Sequence, residues 1–150
     1  MIGFERFKRS VDGLSREIHA ARNINFEDVT NQDWDNLEEI FANLKIMATG
    51  TSIVGNSKVM AHMMPNIIAP VDRAYTLRYL KEHVKNGMEY EWPLMRRIIE
   101  KFFVPVANDR KFISRSKRWM EDRENYPWDT SALKIIDNLT IAAVHLQRRK

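Results

Sequence analysis

Cysteine is absent from the 150-residue chain, which excludes a disulfide framework, a thiolate metal site and a cysteine nucleophile. Long apolar runs are absent too, because stretches such as 67–69 and 102–106 fall far short of the roughly 18 residues that a membrane-spanning helix needs. The first nine residues carry charged side chains and lack the apolar stretch of a secretory signal. We therefore expect no membrane segment and a cytoplasmic location.

Glycine and proline are scarce, with five residues each, and no long alternation of apolar and polar residues indicates a strand. Hydrophobic residues make up 44% of the sequence and charged residues 29%, a balance typical of a globular domain with a sizeable core. No internal repeat, low-complexity tract or long linker divides the chain. We predict an all-α protein in which residues 1–150 form one compact helical bundle.

Apolar residues at helical spacing predict where the helices lie. The first stripe, expected in the core, comprises Phe4, Phe7, Val11, Leu14 and Ile18. The predicted helices cover 4–21, a span from a cap at Asn31 or Asp33 to about Gly50, then 57–64, 72–84, 94–104, 111–123 and 131–148. The last of them is apolar almost all round, which predicts a central position. Asp137 lies inside that apolar run, so its carboxylate needs a partner, and Lys134 is a candidate.

Charge is unevenly distributed along the chain, whose formal net charge is +4. Residues 23–43 contain six acidic side chains and no lysine or arginine, whereas residues 96–123 contain nine basic and four acidic side chains. The second stretch predicts an anion-facing surface formed by Arg110, Lys111, Arg115, Lys117 and Arg118 with Trp119 among them. The alternative is that these cations are only the solvated side of a helix.

Several common catalytic patterns are missing. The four histidines are not paired at metal-ligand spacing, so we expect no metal site. The glycine-rich strings of nucleotide hydrolases and dinucleotide-binding proteins do not occur, nor does the serine motif of α/β-hydrolases. We therefore expect no cofactor.

Two short segments in the middle of the chain carry the functional signal. The first, 54–58, reads as a glycine turn before a helix, where outward-pointing backbone N–H groups and the helix dipole favour an anion. Gly55, Asn56, Ser57 and Lys58 would then contact a phosphate. The second segment, 70–76, places Asp72 after a proline at a helix start, where the dipole keeps its carboxylate ionised.

This pair of segments resembles the helix-hairpin-helix DNA glycosylase superfamily, whose motif reads roughly L-P-G-V-G-x-K-T-A, a helix, then P-V-D-T-H-V-x-R. Here 53–58 looks like the hairpin, and 70–72 matches the segment with the catalytic aspartate. The resemblance implies double-stranded DNA as partner, Asp72 as the catalytic group, and DNA-backbone contacts from 55–58 and Arg73. The chemistry is coherent, because a flipped nucleotide exposes its N-glycosidic bond and a carboxylate stabilises an oxocarbenium-like sugar or activates water.

The sequence departs from that motif in ways that change the expected activity. Ser57 stands where bifunctional members keep a lysine, so the resemblance implies a monofunctional enzyme. The alternative function is a non-catalytic helical module that binds a protein partner or a nucleic-acid backbone. In that case Asp72 only caps a helix, and Gly55 only permits a positive φ angle. An exposed Asp72 in a cleft beside the hairpin would favour catalysis.

Overall fold

The computed structural model describes residues 3–148, which are helical with no strand among them. The helices are, in chain order, α1 (Phe4–Gly13), α2 (Ser15–Ala21), α3 (Asn31–Asn43), α4 (Ile53–Met63), α5 (Arg78–Leu80), α6 (Met88–Ile98), α7 (Val104–Ala107), α8 (Arg110–Glu121) and α9 (Ala132–Gln147). Two π-helical segments, π1 (Arg73–Leu77) and π2 (Ile99–Phe103), adjoin α5 and α6. The all-α prediction is confirmed.

The predicted first helix is divided in two at Leu14. The backbone of this residue leaves helical geometry, at φ −107° and ψ 11°, and its N–H bonds to Val11. Leu14 and Ile18 are buried as expected, but Phe4 is 70% exposed. The prediction that Phe4 belongs to the core is wrong, because its side chain lies mostly in solvent, whereas Phe7 of the same turn packs partly buried against the core.

Helix α3 is a strongly capped amphipathic helix. Thr30, rather than Asn31 or Asp33, is the N-cap, and it forms a reciprocal capping box with Asp33. Trp34, Leu37, Ile40 and Phe41 of the predicted face are buried. The helix ends at Asn43, well before Gly50, so Met47 lies beyond it and is partly exposed.

Helix α4 begins at Ile53, four residues before the predicted start at Ser57. The glycine turn expected at Gly55 is therefore helical backbone, and the positive-φ glycines in the described residues are Gly50 and Gly87. The helix-hairpin-helix element is not confirmed. After α4 the chain runs through a buried segment that contains Ile67, Ile68, Ala69 and Val71.

The two predicted helices that follow also have different bounds. The one expected over 72–84 is the short π1–α5 unit, which ends where Lys81 adopts a left-handed conformation at φ +56°. Gly87 follows at the N-cap position of α6. Helix α6 begins before Pro93, contains it, and continues through π2 into α7, so this proline does not open a helix.

The last two helices match their predictions more closely. Helix α8 buries Phe112 and Ser116, and Ser131 caps α9, since its side chain accepts from Lys134 N–H. Leu139 and Leu146 of α9 are exposed, so the helix is buried on one face and not all round as predicted. It packs against π1, α5, α7 and α8.

One apolar cluster extends from Leu14 to Ile136 and holds the helices together. Trp92 of α6 lies near its centre, with ring centroids 6.2 Å from Trp34 and 5.5 Å from Phe41. None of the helices within 3–148 has the length and apolarity required to cross a bilayer.

Candidate functional site

A cleft of about 520 Å³ opens between α4, π1 and the start of α9. Its volume lies within the range of about 300–1,000 Å³ typical of small-molecule sites. Two lysine–aspartate pairs, one histidine, two aromatic rings and three prolines are among its lining: Lys58, Asp72, Lys134, Asp137, His62, Tyr75, Trp128, Pro65, Pro70 and Pro127. The cleft thus combines apolar walls with two lysine side chains and two carboxyl groups.

Asp72 has two roles at the edge of this cleft. One carboxylate oxygen, Oδ1, accepts from Ala74 N–H at 2.8 Å and so caps π1. The other, Oδ2, accepts from Lys58 Nζ at 2.8 Å. The side chain keeps 26% of its surface exposed. Asp72 therefore both caps a helical segment and lies in a cleft, whereas the sequence offered these as alternatives.

The electrostatics of Asp72 favour its ionised form. Burial by itself raises the pKa of the carboxyl. Hydrogen bonds from Lys58 and Ala74 N–H and the charge of Lys58 lower the pKa by more than burial raises it, so the net pKa lies below the ordinary value. Lys58 is half exposed at 49% of its side-chain surface, so water reaches the pair. The cleft holds a carboxylate that remains charged at neutral pH.

Asn56 and Ser57, predicted as phosphate contacts, are instead buried and bound to the backbone. Asn56 Nδ2 donates to Phe41 O and Leu44 O, so it closes the end of α3. Ser57 Oγ accepts from Val71 N–H at 2.9 Å and fixes the buried segment that leads to Asp72. The prediction that these side chains reach a phosphate is therefore wrong, because α4 begins earlier and turns them inward.

The N-terminus of α4, the predicted place for an anion, already holds one. Glu91 of α6 is 2% exposed, and its Oε2 accepts from Ser52 N–H and Ile53 N–H at 2.6 Å each. Its Oε1 accepts from Gly87 N–H at 3.1 Å. An internal carboxylate thus satisfies the helix end that a phosphate would otherwise occupy.

Gly55 has a packing role. A Cβ atom at this position would lie 3.2 Å from Ile46 Cγ2 and 3.4 Å from Met47 Cγ. The absence of a side chain lets the chain after α3 pack closely against the first turn of α4. Neither a backbone grip on phosphate nor a positive φ angle explains this glycine.

Asp137 is the site residue that sequence reasoning did not assign to function. It lines the cleft from α9, is 4% exposed, and its Oδ2 accepts from Lys134 Nζ at 2.6 Å. The predicted pairing with Lys134 is confirmed. Burial raises the pKa of Asp137 above its ordinary value, the nearby charge of Asp72 adds to the rise, and Lys134 and Lys58 only partly oppose it. In the sequence, the feature that could have pointed to Asp137 as a site residue is a carboxylate inside an otherwise apolar helix.

The remaining predicted residues lie outside the cleft. Arg73 is exposed and donates to Thr51 Oγ1, beside a groove that it lines with Arg78, Lys81 and His83. The cationic side chains of α8 are exposed, and within residues 3–148 no carboxylate pairs with any of the five: Arg110, Lys111, Arg115, Lys117 and Arg118. Trp119 is half-buried, with its ring 6.0 Å from that of Tyr126.

Potential ligands for a metal are dispersed. In the described part of the chain, no three histidine, aspartate or glutamate side chains are grouped so that they could hold a metal ion. Comparison with family models, curated proteins and solved structures finds no match to this chain.

Proposed function

We propose that the protein binds double-stranded DNA and removes a base from it by hydrolysing the N-glycosidic bond, with Asp72 as the catalytic carboxylate. The observation that carries the proposal is the ionised Asp72, paired with Lys58 at 2.8 Å and partly exposed in a cleft of about 520 Å³. The proposal keeps the aspartate of the resembled family but not its hairpin grip on phosphate.

The cleft has the size and lining for one extruded nucleotide. Enzymes that act on a base take it out of the duplex and hold it between aromatic or apolar side chains. Tyr75 lines the cleft, and Trp128 lies on its rim with 76% of its surface exposed. An exposed tryptophan of this kind can stack on a base.

Asp72 supplies the charge that the reaction needs. As the bond between C1′ and the base breaks, positive charge develops on the sugar, and a fixed carboxylate stabilises it or accepts a proton from the attacking water. Lys58 keeps Asp72 ionised. Because Ser57 occupies the place of the lyase lysine and is buried, we expect release of a base without strand cleavage.

We assign binding of the DNA phosphate backbone to the cationic face of α8. Lys111, Arg115 and Arg118 recur at four- and three-residue spacing and so share one side of the helix, flanked by Arg110 and Lys117. Cations without internal partners lose no ion pair when they bind phosphate. Arg73 is exposed in the neighbouring groove and can add a further contact with the DNA backbone there.

The test is base release from duplex oligonucleotides that each carry one altered base: uracil, hypoxanthine, 7-methylguanine or 8-oxoguanine. We expect wild type to release at least one of them and Asp72→Asn to lose that activity while binding of a duplex with an abasic-site analogue persists. Asp35→Asn, an exposed carboxylate on α3, is the matched control. An unchanged rate in Asp72→Asn contradicts the proposal.

A second candidate function is a non-catalytic module that binds a protein partner or a nucleic-acid backbone. It is favoured by one observation, that Asp72 caps π1 and is neutralised by Lys58, which is sufficient reason for its presence. Binding of duplex DNA with no base release by wild type supports nucleic-acid binding alone. If wild type neither binds duplex DNA nor releases a base, the result favours a protein partner.

A further inference from the structure

Asp137 is a second carboxyl group in the cleft, and the reaction proposed above leaves it without a role. It comes from α9, while Asp72 precedes π1, so two separate elements bring the two carboxyl groups to one cavity. Helix α9 packs directly against π1, which fixes this arrangement.

The environments of the two carboxyl groups differ in ways that separate their protonation. Asp72 is 26% exposed and accepts from a backbone N–H as well as from Lys58. Asp137 has 5% of its side chain exposed, and Lys134 contacts only its Oδ2. The second oxygen, Oδ1, has no hydrogen-bond partner within residues 3–148. Two carboxyl groups in unlike surroundings are the usual basis for one acid and one base in glycoside hydrolysis.

We propose that Asp137 is the proton donor of the cleft and protonates the departing base while Asp72 acts as the anion. This inference rests on the proposed function and adds a catalytic residue to it. A base that leaves as a neutral molecule needs a proton, and a donor at the leaving group accelerates such steps by about 10²–10⁴-fold.

The step balances as a hydrolysis. The bond between C1′ and the base nitrogen breaks, and its electron pair departs with the base, which takes the proton of the Asp137 carboxyl. Water adds to C1′, and Asp72 accepts the proton that this water loses. Solvent then takes a proton from Asp72 and returns one to Asp137, so both groups regain their starting states.

Charged neighbours set the pH range over which Asp137 holds its proton. Lys134 and Lys58 favour the ionised form, Asp72 opposes it, and His62 also lines the cleft. Burial outweighs the lysines, so the pKa of Asp137 lies above its ordinary value. Since the acid form is required, release of a neutral base should slow as pH rises through that pKa.

The experiment compares two leaving groups. Hypoxanthine must gain a proton to depart as a neutral base. In the duplex, 7-methylguanine already carries a positive charge, so it departs as a neutral base without protonation. We expect Asp137→Asn to reduce hypoxanthine release from a duplex by about 10²-fold or more and to reduce 7-methylguanine release by less than threefold. Binding of the abasic-analogue duplex should be unchanged, and Asp35→Asn should behave as wild type.

The same preparation provides its own folding control, because retained 7-methylguanine release shows an intact cleft. An equal loss for both bases, no loss for either, or release by wild type of 7-methylguanine alone overturns the role of Asp137. If wild type releases none of the four altered bases, the proposed function fails, and with it the leaving-group role.

A titration of the protein alone tests the assignment without any substrate. The carbon-13 resonance of the Asp137 carboxyl should report a pKa above the ordinary value of about 3.9. This pKa should fall in Asp72→Asn, which removes the neighbouring negative charge. A carboxyl that titrates at or below the ordinary value overturns the proposal.

Discussion

The carboxylate of Glu91 lies against the backbone N–H of Ile53, 2.6 Å from it, at the first residue of α4. A side chain from α6 therefore occupies the helix end where the sequence predicts a bound phosphate. Glu91 also accepts from Ser52 and Gly87, so one buried carboxylate organises the starts of two helices. The acidic residue that completes this site is 38 positions away in the sequence.

We expect Glu91→Gln to destabilise the protein by about 2 kcal/mol, because charge-assisted hydrogen bonds to a buried carboxylate are worth about 1.5–3 kcal/mol. Urea unfolding measures the change. Glu100→Gln removes a half-exposed carboxylate that pairs with Arg96, and it should cost less than about 1 kcal/mol. Equal effects in the two variants would show that Glu91 contributes no more than a surface ion pair.

Ser57→Ala should reduce the free energy of unfolding by about 1–3 kcal/mol, since it leaves the buried N–H of Val71 without an acceptor. The matched control is Ser114→Ala on α8, an exposed serine whose loss should change stability by less than about 0.5 kcal/mol. If Ser57→Ala instead weakened binding of duplex DNA at unchanged stability, the phosphate role predicted from the sequence would be restored.

Asp72 should make the free energy of unfolding depend on pH in the acid range. Its pKa in the folded protein is lowered, so its contribution to stability is fully present above the ordinary value and is lost as pH falls through the lowered one. Chemical unfolding of wild type and Asp72→Asn between pH 3 and 7 should therefore differ most at neutral pH and converge in acid. Asparagine keeps the cap acceptor, so the difference isolates the charge. A gap that widens in acid would contradict the assigned direction.

The proposed binding of DNA should depend on salt through the cationic face of α8. Replacement of Lys111, Arg115 and Arg118 by glutamine is expected to weaken binding and to reduce the slope of log affinity against log salt by about one per lost phosphate contact. Fluorescence anisotropy with the abasic-analogue duplex measures the slope. Gln replacements at Arg6, Arg16 and Arg22 change the net charge equally, and the same loss there would show a nonspecific effect.

Apolar periodicity predicts the positions of the helices better than the side-chain contacts that join them. The buried faces of α3, α8 and α9 follow from apolar spacing, and the Lys134–Asp137 pair follows from a carboxylate in an apolar helix. The start of α4 could not be found in this way. The carboxylate that caps this helix belongs to Glu91 of α6. No local pattern around residues 49–57 therefore predicts where α4 begins.

The candidate site shows the same division. Local sequence placed Asp72 at a helical start, which the structure confirms through its bond to Ala74 N–H. That Asp137 lies in the same cleft depends on packing between α9 and π1, which are far apart in sequence. Periodicity identifies which face of a helix is apolar, but not which partner it meets.

Trp128 gives the cleft an optical signal of its own. Trp34 and Trp92 are sealed in the core and Trp119 is half covered, whereas the indole of Trp128 stands in water at the rim. A molecule that covers this ring on entering the cleft displaces solvent from it and changes its emission, while the buried pair supplies a constant background. Tryptophan fluorescence of the unlabelled protein can thus be used to screen for molecules that bind in the cleft.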